Sequence, residues 1–350
     1  MNFVSDNCAG AAPEVLAALT QAGQGTALSY GDDAITARLR ARLAEVFDHE
    51  VAAFPVISGT AANALSLSAL VPPHGAIFCH EASHIAVDEC GAVEFFTHGA
   101  KLMGLPGEDG KLAPETIEAA LSRFQKGSVH HAQPAAVSLS QPAECGTVYR
   151  AGEIARIAAL ARAHGMKLHM DGARLANALA HLKCAPADIT WRVGVDVLSF
   201  GATKNGALGA EAVVFFDPRD VGDFEYRHKK SGHLLSKMRF VSAQLEACLA
   251  DGRWLAHARH ANALAARLGE GLRDVAGAQL AHPVEANAVF ARLPDATVAR
   301  LRAAGAAFYD WSPPKDGRTL VRLVTSFATP DADVARFIEV ARGQDKIRPD

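Results

Sequence analysis

The chain is 350 residues long, 49% hydrophobic and 21% charged, with a net charge of -3. At roughly 100–200 residues per domain this length fits about two domains, with enough apolar residues for a sizeable core and too many for a disordered chain. It has no cationic excess to hold a nucleic acid, no apolar run of about 18 residues to cross a membrane, and no signal-peptide pattern at its start.

Asp33 to Phe47 sets apolar residues at helical spacing, and Asp32 is expected to cap that helix. Ala76 to Cys79 reads as a short strand, Pro114 to Phe124 as a helix and Ala135 to Leu139 as a strand. Glu153 to His164 reads as a helix stopped by Gly165. Met166 to Met170, Val195 to Ser199 and Ala212 to Phe216 are further strands. Strands separated by helices predict an α/β fold: a mostly parallel sheet with helices on both faces. After about Phe240 the pattern changes. Helices over Ser242 to Leu249 and Trp254 to Asp274 lead to a strand at Asn287 to Leu293, a helix at Ala296 to Ala304, a strand at Thr319 to Val324 and a helix at Asp331 to Arg342. This predicts a smaller C-terminal α+β domain over 246–350, behind a large domain over 1–245 that includes the N-terminal segment 1–28. The cysteines at 8, 79, 90, 145, 184 and 248 have no C-x-x-C spacing, and Cys90 and Cys248 are expected in the core. Scattered cysteines fit reduced thiols in a cytoplasmic protein.

Three stretches carry candidate chemistry. Ser58-Gly59-Thr60 opens an alanine-rich helix, and a small-residue turn at a helix start presents free N–H groups to an anion such as a phosphate. Alone, it reads more readily as an ordinary capped helix. Asp171 ends a predicted interior strand, where α/β sheets bind ligands, with Arg174 three residues on. Lys204 follows the next strand among small residues, and lysine forms imines with carbonyl cofactors. A phosphorylated pyridine aldehyde needs all three: a phosphate cradle, a carboxylate for the ring nitrogen and an amine for the aldehyde.

On these residues the chain resembles the low-specificity L-threonine aldolases, fold-type-I pyridoxal 5'-phosphate (PLP) enzymes of the aspartate-aminotransferase-like kind. The matching stretches are SDNCAG at 5–10, SYGDD at 29–33, SGTAAN at 58–63, ASH at 82–84, HMDGAR at 169–174, SFGATKNG at 199–206 and RLVTSF at 322–327. The resemblance implies a homotetramer with active sites between subunits, and cleavage of β-hydroxy-α-amino acids to glycine and an aldehyde. It implies Lys204 as the Schiff-base lysine, Asp171 as the partner of the pyridinium nitrogen and His84 as the ring-stacking histidine. Ser58, Gly59 and Thr60 then match phosphate binders, while Arg322, with Ser5 and Arg174, matches the groups that hold the substrate carboxylate. The resemblance also implies that Tyr30 borders the site from a neighbouring subunit and that Lys229 reaches a phosphate across that interface. Another reaction on the same frame, β-elimination or transamination, uses the same cofactor residues.

One departure bears on the reaction. Many members of the family carry a histidine just after the strand equivalent to Val137–Leu139, where this chain reads SQPAECG at 140–146. His84, His131, Glu144 or a bound water are the candidates for taking the β-hydroxyl proton. His80-Glu81-Ala82-Ser83-His84 also fits the zinc-hydrolase pattern H-E-x-x-H. It follows an apolar run as a strand-to-helix junction and lacks a clear third ligand, so no metal is expected. His130 and His131 read equally as solvated loop residues, and Arg227 to Lys230 as an exposed helix face. Arg322 stands among Leu320, Val321, Leu323 and Val324, where a charge needs a partner.

Overall fold

The short β-branched and apolar runs form seven strands in the computed structural model, which describes residues 1–344. They are β1 (Ala52–Val56), β2 (Gly75–His80), β3 (Lys101–Leu105), β4 (Gln133–Ser140), β5 (Lys167–Gly172), β6 (Val197–Gly201) and β7 (Glu211–Phe215). Their order in the sheet is β1-β7-β6-β5-β4-β2-β3. The pairs β2–β3, β2–β4, β4–β5 and β5–β6 are parallel, and only β7 runs against its neighbours β1 and β6. Every residue of β6 and β7 is buried, as expected for central strands covered on both faces. The carboxyl ends of β4, β5 and β6 therefore share one edge.

The helix Gly59–Leu70 is buried from Ala61 to Ser68. Its serines do not break it, because Ser66 Oγ returns to the Ala62 carbonyl at 2.6 Å and Ser68 Oγ to that of Leu65 at 2.8 Å. A second sheet has the order β10-β11-β9-β8, with β8 (Gln279–Leu280), β9 (Ala288–Pro294), β10 (Tyr309–Lys315) and β11 (Arg318–Val324), all antiparallel. Leu268, Val289, Leu293, Val321 and Phe337 form its core under the helices Arg253–Arg273 and Asp331–Ala341.

Several expectations shift. Asp33, not Asp32, caps the first long helix, with Oδ1 accepting from Thr36 N at 2.9 Å. The helix Arg253–Arg273 spans the two hydrophobic cores. Trp254 and Ala258 join the large core and Leu264 onward joins the small one. Within the N-terminal segment, Ala12 and Val15 join the large core, while the first residues reach the smaller one. Asn2 bridges Ala307, and Phe3 packs edge-on to Phe337 at 5.1 Å. Residues 345–350 of the expected C-terminal unit lie outside the described residues. Cys248 is buried as expected, whereas Cys90 is exposed at a left-handed position, φ 51°. No described helix is long and apolar enough to cross a membrane.

Candidate active site

The chain after β6 turns sharply through Thr203–Asn205 and carries Lys204 over the strand end. Glycine is required beside it. A Cβ on Gly201 would lie 2.6 Å from the Ala173 Cα and carbonyl oxygen, so only glycine lets the ends of β5 and β6 close up. His84, Ser140, Glu144, Asp171, Arg174 and Lys204 line one cleft there. Among the described residues nothing hydrogen-bonds the Lys204 amine. Glu211, opposite Gly201 on β7, is buried beneath the turn and accepts from Thr203 N at 3.4 Å. Burial pushes its carboxyl up to about 7, against the Thr203 hydrogen bond and the Lys204 charge.

Asp171 is 7% exposed. Its Oδ1 accepts from Ala173 N at 2.9 Å and its Oδ2 from Asn63 Nδ2 at 2.8 Å. The same Asn63 nitrogen donates to Glu89 Oε1 at 2.9 Å, so one amide group spends both hydrogens on two carboxylates. Glu89 Oε1 also meets His84 Nδ1 at 2.8 Å. Burial raises the Glu89 carboxyl, opposed by its hydrogen bonds to His84 and Asn63. The Glu89 hydrogen bond raises the His84 pKa despite partial burial. A continuous chain, Asp171–Asn63–Glu89–His84, thus fixes an acid at the strand end and the plane of an imidazole near it. Two residues earlier on the same face of β5, His169 bridges Ser138 Oγ at 2.8 Å and Ser199 Oγ at 3.0 Å. Complete burial pushes it down to about 4, so it is a neutral crosslink of three strands.

At the start of the helix Gly59–Leu70, Ser58 Oγ accepts from Ala61 N at 3.2 Å. The N–H groups of Gly59 and Thr60 have no place in the helical ladder and remain for an anion. A Cβ on Gly59 would meet nothing within 4 Å, so the space over this turn is open.

The two candidate carboxylate-binding arginines differ. Arg174 donates Nε and an Nη to the two oxygens of Asp6, at 2.6 and 2.8 Å. Asp6 is 2% exposed and also accepts from Asn287 Nδ2 at 3.0 Å. Burial opposes its ionisation, yet Arg174 and Asn287 hold the carboxyl below its usual range. Ser5 caps the short turn Asp6–Cys8, accepting from Asn7 N at 3.2 Å. Arg322 on β11 has no ion pair among the described residues; its guanidinium lies 5.2 Å from the Trp311 ring centre. Burial and the neighbouring Arg174 charge lower its pKa. An anion supplied from outside would relieve both effects.

Some expected residues are elsewhere. His131 is exposed before β4, and its Nδ1 accepts from Gln125 N at 3.1 Å. The eight residues of β4 put it about 25 Å from the cleft edge of that strand, too far to reach the site within one subunit. Tyr30 and Lys229 contact each other, the ammonium 4.2 Å from the ring centre, and neither lines the cleft. His80 ends β2 with Nε2 3.1 Å from the Gly107 carbonyl, while His84 starts the next short helix. The two do not share a helical face, so H-E-x-x-H has no zinc geometry here. Sequence reasoning missed Asn63, Glu89, Asp6 and Trp311. The available signals were an asparagine among buried alanines and an acid five residues after His84.

Comparison with known proteins places this geometry. The profile of the beta-eliminating lyase family matches residues 2–296. A low specificity L-threonine aldolase from Pseudomonas sp. (strain NCIMB 10558) is 43% identical over 333 residues, covering 95% of this chain and 94% of the relative. The chain belongs to this family of low-specificity L-threonine aldolases. Another aldolase so named, from Pseudomonas aeruginosa, is 43% identical over 97% of this chain and 96% of its own. The threonine aldolase of Leishmania major superposes with a TM-score of 0.92 at 31% identity, covering 98% of both chains. A serine palmitoyltransferase from Sphingomonas wittichii, 17% identical with a TM-score of 0.70, shares the fold; it covers 98% of this chain and 86% of that one.

Proposed function

We propose that this protein is a PLP-dependent aldolase. It cleaves L-threonine, L-allo-threonine or a related β-hydroxy-α-amino acid such as phenylserine to glycine and an aldehyde. The observation that carries this reading is the Lys204 amine, without a hydrogen-bond partner among the described residues, in one cleft with Asp171 and His84. Membership of the threonine aldolase family supports it.

The residues present fit the cofactor. When bound, PLP supplies an aldehyde that captures amines and a ring that draws electrons from a breaking bond once its nitrogen is protonated. Lys204 offers the amine. Asp171 has two protein donors and lone pairs to spare for a third, and would hold a protonated ring nitrogen there. His84, oriented by Glu89, offers a flat face for a ring. Gly59 and Thr60 offer N–H groups, and Thr60 a hydroxyl, to the phosphate at a capped helix start. Arg322 grips the substrate carboxylate, and that grip fixes how the substituents on Cα are turned. Arg174 supports the same end of the cleft through Asp6, and Ser5 holds the turn from which Asp6 projects.

In this reading the active enzyme is a homotetramer. Tyr30, 46% exposed, and the exposed Lys229 then face a neighbouring subunit's site. Six unpaired thiols suit a cytoplasmic location. The test is an absorbance spectrum of the PLP-loaded protein before and after L-threonine, with products identified. A visible band, perturbed by threonine with release of glycine and acetaldehyde, is expected. Lys204→Ala loses the band and more than roughly 10³-fold of turnover. A keto acid with ammonia, or an amino group left on the cofactor, replaces the aldolase by β-elimination or transamination.

A further inference from the structure

Retro-aldol cleavage needs an acceptor for the β-hydroxyl proton, and the loop after β4 has no histidine to serve. His131 is at the far end of the strand. His84 has its Nδ1 committed to Glu89, and the aldolase reading gives its ring face to the cofactor. Glu144 stands in the cleft itself. Its Oε1 is fixed by the backbone N–H of His84 at 3.2 Å and by Ser140 Oγ at 3.4 Å. Its Oε2 has no hydrogen-bond partner and is not among the enclosed unpaired atoms of the described residues. The carboxylate thus has one anchored oxygen and one free for a ligand.

The loop that carries it is held at both ends. Gln141 and Tyr149 exchange two hydrogen bonds, Nε2 to the Tyr149 carbonyl at 2.9 Å and Tyr149 N to Oε1 at 3.0 Å. Gly146, at φ 79°, presses on β9, where an added Cβ would lie 3.2 Å from the Ala288 carbonyl oxygen. Such a position is rigid, which is what a proton acceptor needs. The Glu144 charge also acts on Arg174 and Arg322, which places it toward the carboxylate end of the cleft as well as beside His84. A substrate gripped by Arg322 and lying under His84 would carry its β-substituent between these groups.

We propose that Glu144 is the residue that takes the β-hydroxyl proton, a role that rests on the aldolase reading. The proton passes to Glu144 Oε2 and the O–H pair becomes the second C–O bond of the aldehyde. The Cα–Cβ pair stays with the carbon that becomes glycine. In the synthetic direction the same oxygen returns the proton to the new alkoxide.

The test compares two reactions of the holoenzyme: threonine cleavage, and exchange of the glycine α-proton with D2O. Exchange uses the same cofactor, lysine and arginine but has no β-hydroxyl. Glu144→Gln is expected to lower cleavage roughly 10²–10³-fold, while glycine exchange and the Kd of the apoprotein for PLP stay within about threefold. Added formate is expected to restore part of the cleavage in Glu144→Ala, where it can fill the space, and none in Glu144→Gln. Cleavage within about threefold of wild type overturns the proposal. So does an equal fall of cleavage and exchange, which would reduce Glu144 to a support for His84. Wild-type enzyme that exchanges glycine yet cleaves none of the three amino acids removes the aldolase reading and this role with it. Wild-type cleavage that survives in Glu144→Gln removes the role alone.

Discussion

Arg174 lines the cleft and Arg322 is near enough to feel its charge, yet their surroundings are opposite. Arg174 is doubly hydrogen-bonded to a buried aspartate, while Arg322, among the described residues, has no ion pair and lies over the face of Trp311. The contrast extends to the whole site. Asp6, Asp171, Asn63, Glu89 and His169 form a layer tied to other protein groups by hydrogen bonds, although Asn63 Oδ1 and Glu89 Oε2 are buried without a partner among the described residues and Asp171 keeps lone pairs for a ligand. Lys204, Thr60, Arg322 and one oxygen of Glu144 form a layer whose polar groups have no protein partner among the described residues. Polar groups satisfied within the fold stabilise and orient; those left open at the end of a buried strand await a ligand. Substitutions in the two layers should therefore separate stability from catalysis.

The largest effect on stability is expected at Arg174. Arg174→Met leaves Asp6 buried with Asn287 as its main donor, and unfolding free energy should fall by about 3–5 kcal/mol. A denaturation midpoint unchanged by this substitution would move Arg174 into the open layer. His169 gives the next effect, through pH. Its pKa lies near 4 in the fold against 6.5 ordinarily, so the unfolded chain takes up a proton that the folded one refuses. Stability should thus fall as pH drops below about 6.5 and stop falling from this cause near 4, by on the order of 3 kcal/mol in all. His228 is also pushed down to about 4 by burial, so the diagnostic is the difference between wild type and His169→Gln across that range. Equal slopes in the two proteins would break the assignment. Arg322→Met is smaller and of another kind. It should cost about 2 kcal/mol in kcat/KM, roughly 30-fold, mainly through KM. The melting temperature should stay within about 2 °C. A fall in melting temperature without a change in KM would make Arg322 structural.

Much of this was legible in the sequence, for physical reasons. Central strands such as β5 and β6 are buried on both faces, so their apolar runs and their chemistry-bearing ends stand out. Asp171 and Lys204 are on those ends. The edge strands β3 and β10 were not legible. β10 contains Pro313 and Pro314 and is mostly exposed, as an edge tolerates. The capping residue Asp33 was missed by one position because two aspartates precede the helix. His131 precedes β4 and so stands at the opposite end of that strand from the cleft within this subunit, because proximity along the chain to Val137 says nothing about which end of the strand a residue joins. The pairing of Arg174 with Asp6 joins residues 168 positions apart, and no local pattern reports it. Glu89 and Asn63 likewise act through a network that only the folded sheet assembles.

Every role assigned to the open layer depends on the cofactor being bonded to one amine. Borohydride reduction of the PLP-loaded protein, followed by proteolysis and mass spectrometry, reads that bond directly. The pyridoxyl mass is expected on the peptide containing Lys204, with Lys204→Ala unlabelled. Label on another lysine, or a loaded protein that borohydride leaves unmodified, would contradict the account.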